Sequence, residues 1–134
     1  MRLVREDDRA VVAAPLELAS SFGARLRGLM FRRGLAPGAG LWLEPCASIH
    51  MMFVPFSIDV AFVRRADPPR PDAGPPQGGP TLVGGVIVLA VRERVRAWVG
   101  LAWCSGATGA LELEAGAAAR LELAPGDHLV LEAA

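Results

Sequence analysis

Six of the eleven prolines in this 134-residue chain fall between Asp67 and Pro80, in Asp-Pro-Pro-Arg-Pro-Asp-Ala-Gly-Pro-Pro-Gln-Gly-Gly-Pro. Proline has no N–H to give a ladder, so this stretch cannot continue a central strand. It parts the chain into two strand-forming regions, and neither holds a sufficient core alone. The expected organisation is therefore one domain over residues 1–134, with 67–80 as a long loop inside it.

On either side of that loop the apolar residues come in short runs broken by turn residues. Strands are expected at 1–6, 10–14, 40–44, 48–53 and 57–64, then over 86–91, 94–99, 109–114 and 127–132. One segment reads differently. Phe22, Leu26, Leu29 and Met30 fall at i, i+4, i+7 and i+8, a single apolar stripe. That spacing predicts an amphipathic helix over about 20–32, capped by Ser20 or Ser21 and ended by Gly34 and Pro37-Gly38. Gly28 within it costs about 1 kcal/mol against Ala and marks a close contact with another element. A short helical turn is expected near 115–120. The fold class expected is α+β, a mostly antiparallel, strongly curved or barrel-like sheet with one amphipathic helix.

Composition excludes several functions. With 14 basic and 14 acidic side chains the net charge is zero, which gives no electrostatic case for nucleic acid or an anionic membrane as partner. The amino terminus is charged and lacks an apolar core of the signal-peptide type, and no apolar run approaches the roughly 20 residues that span a bilayer. A cytoplasmic location is the resulting expectation. Cys46 and Cys104 are then reduced, and neither has a CxxC partner for structural zinc.

Chemistry-bearing side chains concentrate between Cys46 and Val63, where a thiol, an imidazole, two thioethers and a carboxylate sit among three Phe rings. Burying such polar groups unpaired costs roughly 2–7 kcal/mol each, so they pair with one another or face a ligand. If 48–53 and 57–64 form a hairpin, a two-residue turn sets His50 opposite Asp59. A three-residue turn sets Met51 there, with His50 one step away. A carboxylate orienting an imidazole serves ligand binding or proton transfer, and the same pair also serves as a satisfied structural contact. Metal is disfavoured: Cys46 and His50 on one extended strand lie about 13 Å apart at ~3.3 Å per residue. Cys-based catalysis lacks a third partner and an oxyanion loop. Trp42, Trp98 and Trp103 are core candidates unless an indole flanks a cleft. No phosphate-cradling, dinucleotide or hydrolase motif occurs.

Several short motifs, in order, resemble those of the DUF192 family. They are Arg25-Leu26-Arg27-Gly28-Leu29-Met30, then Gly40-Leu41-Trp42-Leu43, Pro45-Cys46-Ala47-Ser48-Ile49-His50 and Phe56-Ser57-Ile58-Asp59. Leu111-Glu112-Leu113-Glu114-Ala115-Gly116 and Gly126-Asp127 follow. The resemblance covers about 15–65 and 84–132. It implies a small β-rich, barrel-like domain with one packed helix and no particular activity, and it draws attention to Arg25, His50 and Asp59. The chain departs from the family pattern at Ser57, where a proline is usual, at Ala97-Trp98-Val99, where Pro-Trp-Arg is usual, and in its 67–80 loop.

The leading expectation is a non-enzymatic module binding a small molecule or a partner's peptide in a cleft lined by Arg25, His50, Met51, Asp59 and Trp98, with no metal and no identified cofactor. The first alternative is an enzyme using His50 as base with Asp59 orienting it. The second is a structural or assembly module marked by an exposed apolar patch.

Overall fold

The computed structural model describes residues 1–19, 29–66 and 85–132. Ten strands are described: β1 (Arg2–Arg5), β2 (Val11–Ala13), β3 (Leu16–Ala19), β4 (Gly40–Leu43), β5 (Ser48–His50), β6 (Ile58–Arg65), β7 (Val86–Val95), β8 (Leu101–Trp103), β9 (Gly109–Glu114) and β10 (His128–Glu132). A five-residue helix, α1 (Ala117–Leu121), lies between β9 and β10. Eight strands form one sheet in the order β2-β1-β10-β7-β6-β9-β4-β3, and β5 with β8 makes a separate two-stranded ribbon. The pairings are antiparallel except β3 with β4.

β6 is the axis of the fold. Its Ile-Asp-Val-Ala-Phe-Val run is buried on both faces, as a continuous apolar strand should be. Side chains alternate across the sheet, so Ile58, Val60 and Phe62 enter one core layer and Ala61 and Val63 the other. The first layer also holds Leu29, Leu41, Leu43, Ile49, Met51 and Ala102, which means the ribbon covers it. The second holds Trp42, Leu111, Leu113, Ala117 and Ala118, which means α1 covers it. Gly109 lets the Trp42 indole lie against the backbone, since a Cβ there would stand 2.8 Å from the ring.

Several expectations need correction. Among the described residues the sheet is neither closed into a barrel nor strongly curled. β2 and β3 end the strand order unpaired with each other, although they follow one another in sequence. The link between them spends its backbone groups elsewhere: Ala14 N–H donates to the Gly38 carbonyl at 2.7 Å and the Pro15 carbonyl accepts Gly40 N–H at 3.1 Å. The amphipathic helix is not confirmed: 20–28 lies outside the described residues, and 29–31 form a turn. The 67–80 stretch also lies outside them. Residues 94–99 are not a strand of their own. β7 runs through Val95 without a break, a turn follows, and β8 begins at Leu101. The short helix expected near 115–120 is present at Ala117–Leu121. No helix among the described residues is long and apolar enough to cross a membrane.

Candidate functional site

The hairpin expected to bring His50 to Asp59 does not form. β5 pairs with β8, setting His50 opposite Leu101, while β6 pairs with β7 and β9. The two residues are also on opposite sides of the main sheet. Asp59 falls on the α1 side by alternation with Ile58 and Val60, and the ribbon carrying His50 lies over the other side. The physical reason is the Met51–Phe53 turn, which folds the chain back on the 96–100 segment: Met51 N–H donates to the Gly100 carbonyl and Trp98 N–H to the Val54 carbonyl, at 3.0 Å each.

Asp59 is fully buried. Its Oδ1 accepts the Arg94 N–H at 2.8 Å, and its Oδ2 accepts the N–H groups of Gly116 at 3.0 Å and Ala118 at 2.9 Å. These bonds clamp a β7 bulge and the start of α1 onto β6. Gly116 takes a left-handed conformation at φ 96°, which a glycine adopts without strain, so that its N–H can meet the carboxylate. Asp127 has a similar role at another corner, accepting Ala124 N–H at 3.0 Å and the Arg5 guanidinium at 3.3 Å on Oδ2. Asp59, Gly116 and Asp127 thus act as architecture.

The remaining expected site residues separate. Met51 is buried at 1% exposure and belongs to the core. Arg25 lies outside the described residues. Only His50 and Trp98 reach the surface. Trp42 is core, as expected, whereas Trp98 is 56% exposed and Trp103 65%. Among the described residues no cluster of His, Cys, Asp and Glu could hold a metal ion.

What the surface does carry is an aromatic and aliphatic face. Phe31, Met52, Phe53, Trp98, Val99, Leu101 and Trp103 are all exposed. Phe31 stacks on Phe53 with ring centroids 5.3 Å apart, and Trp98 meets Phe53 edge-on at 6.4 Å. These three aromatics have left-handed backbones, with φ of 66°, 64° and 68°. Left-handed geometry costs a side-chain-bearing residue roughly 1–2 kcal/mol. Part of that is offset by bonds joining the loops, such as Phe31 N–H to the Phe53 carbonyl at 2.8 Å. Gly100 makes the tight turn possible, since a Cβ there would stand 2.6 Å from the Arg96 carbonyl oxygen.

The ribbon continues this face. Met51 N–H to Gly100 O and Cys104 N–H to Ala47 O identify 51/100, 49/102 and 47/104 as the hydrogen-bonded pairs. His50 with Leu101 and Ser48 with Trp103 are then the close, non-hydrogen-bonded pairs. Their side chains project outward while Ile49 and Ala102 point into the core. Beside the ribbon runs an open groove of about 740 Å³ lined by residues 91–96 of β7 and its turn and by residues 100–103. The exposed arginines Arg92 and Arg96 border it, together with Trp103.

Glu112 was not singled out in the sequence. In Leu-Glu-Leu-Glu it reads as the wet face of a half-buried strand. Both faces of β9 are covered, however, and Glu112 is 6% exposed between Leu41 and Val60. Its Oε2 has no hydrogen-bond partner among the described residues. Burial pushes its carboxyl up to about 7, opposed by the charge of Arg32. Arg32 itself is held by Glu17 in a two-pronged pair at 2.9 and 2.8 Å.

Residues 3–67 match the model of the DUF192 family, described as "Uncharacterized ACR". No curated protein matches the sequence. Among solved structures, the fold is similar to a protein of unknown function from Novosphingobium aromaticivorans DSM 12444, with TM-score 0.65, 24% identity, and coverage of 87% of this chain and 74% of that one. It is also similar to a protein from Sinorhizobium meliloti 1021 provisionally described as a transcription regulator, with TM-score 0.66, 24% identity, and coverage of 96% and 88%. At this identity the likeness is one of fold.

Proposed function

The chain carries the DUF192 pattern over residues 3–67, and from that premise we propose a non-enzymatic binding module that holds a protein partner on the face formed by Phe31, Phe53, Trp98, Leu101 and Trp103. The observation that carries this reading is the backbone geometry of Phe31, Phe53 and Trp98. Three solvent-exposed aromatics in contact, each in a left-handed conformation, maintain a surface at a cost to folding. Tryptophan and phenylalanine on such a face suit the centre of an interface. The loss of the expected His50–Asp59 hairpin removes the basis for the catalytic alternative.

The test is a photo-crosslinking residue at Val99, which is 71% exposed within the face, introduced into the protein in its own host. The expected result is one discrete adduct that disappears when Trp103→Ala is added. Equal labelling from a control position at Glu122, the exposed C-cap of α1 across the sheet from the ribbon, would count against a dedicated face.

A further inference from the structure

We propose that the groove between β7 and β8 receives an extended acidic segment of the partner, added as a strand to the open edge of β8. The inference rests on the binding-module reading and specifies its ligand chemistry.

The register of the ribbon supplies the first argument. Because 51/100, 49/102 and 47/104 are the hydrogen-bonded pairs, the backbone N–H and C=O groups of Leu101 and Trp103 point away from β5. Among the described residues no strand pairs with that edge of β8. An incoming strand thus meets outward-directed donors and acceptors, the arrangement used in strand addition. The Leu101 and Trp103 side chains stand on the outer face of the same strand, ready to cover alternate residues of a guest.

Charge supplies the second argument. Arg92 and Arg96 line the groove together with one acid, Glu93, whereas the Arg94 guanidinium lies beside Gly116 at the start of α1. Arg92 and Arg96 are exposed, and no ion pair engages their guanidinium groups among the described residues. In a protein of zero net charge this is a local positive concentration, which favours carboxylates and steers their approach. It also disfavours a second copy of the chain. A symmetric pairing of two β8 edges would bring the same arginines of both copies together. Single-stranded nucleic acid would use arginine and tryptophan but not the strand edge.

The experiment titrates the intact protein with a capped peptide of about twelve residues alternating Glu with Val, followed by calorimetry and by amide chemical shifts of Leu101 and Trp103. Binding is expected. It should weaken at least tenfold when Lys replaces Glu, and at least tenfold when alternate backbone nitrogens are methylated. Arg92→Glu with Arg96→Glu, both surface changes, should reverse the preference towards the Lys peptide. Failure of the Glu peptide to bind, equal binding of the Lys peptide, or indifference to methylation overturns the proposal. So does displacement of the peptide by oligo-dT, or a dimer in sedimentation that closes the β8 edge. If the Val99 crosslink persists while the peptide fails, the binding-module reading stands and the acidic-strand inference alone is lost.

Discussion

Asp59 Oδ2 accepts the N–H of Ala118 at 2.9 Å, joining the middle of the sheet to the first turn of α1 across 59 positions of sequence. With the Gly116 and Arg94 bonds, one carboxylate satisfies three backbone donors, two of them part-buried and that of Ala118 fully buried. Leaving a buried donor unmade costs roughly 1–3 kcal/mol. Asp59→Ala should therefore lose at least about 3 kcal/mol of stability in urea unfolding. If Asp59→Ala were as stable as the parent, the architectural role would be wrong.

Glu112 predicts a pH dependence of stability. Its folded value of about 7 lies above its ordinary 4.5, so the folded chain keeps a proton that the unfolded chain has released. The native state then binds more protons than the unfolded state between about pH 4.5 and 7, and stability falls as pH rises through that window. At ~1.4 kcal/mol per unit the loss approaches about 3 kcal/mol. Glu112→Gln should flatten the slope between pH 5 and 7.5 in denaturant titrations. A slope unchanged by the substitution assigns the effect to other groups.

The Gly100 turn fixes the ribbon's register. A Cβ at 100 would meet the Arg96 carbonyl oxygen and Val95 Cγ1 at 2.6 Å, and a carbonyl in a tight turn has little room to yield. Gly100→Ala should cost about 1–3 kcal/mol, the range for forced overpacking. Hydrogen exchange should report it locally, since Met51 N–H donates to the Gly100 carbonyl. Protection of Met51 should fall while that of Val60, deep in the main sheet, holds.

How much of this was legible in the sequence depends on the range of the interactions. β4, β6, β9 and β10 follow from runs of apolar residues within about two positions at each end. Partner choice did not follow. Residues 48–53 and 57–64 look like a hairpin because they are neighbours, yet β5 finds β8 about fifty residues on. Leu101-Ala102-Trp103 is too short to announce itself, and its alternation of large and small is opposite to the usual rule, with Ala102 inside and the two large residues out. Glu112 was hidden for a related reason. A strand with alternating leucine and glutamate has one wet face unless distant elements cover both, and sequence spacing carries no sign of that cover. Asp59 was recognised as important from its motif, but its partners are backbone amides, which leave no mark in the sequence.

Trp98 offers a test of whether the strained face is kept for its surface. At φ 68° the indole-bearing residue sits where glycine is at ease. Trp98→Gly relieves roughly 1–2 kcal/mol of backbone cost and gives up an edge-on contact with Phe53 worth roughly 0.5–1.5 kcal/mol. The two effects nearly offset, so the melting temperature should move by only a few degrees. The Val99 crosslink, by contrast, should fall several-fold, because the centre of the face has lost its largest side chain. A variant that melts much earlier would show the indole to be holding the loops together, and one that keeps its full crosslink would show the partner to lie elsewhere.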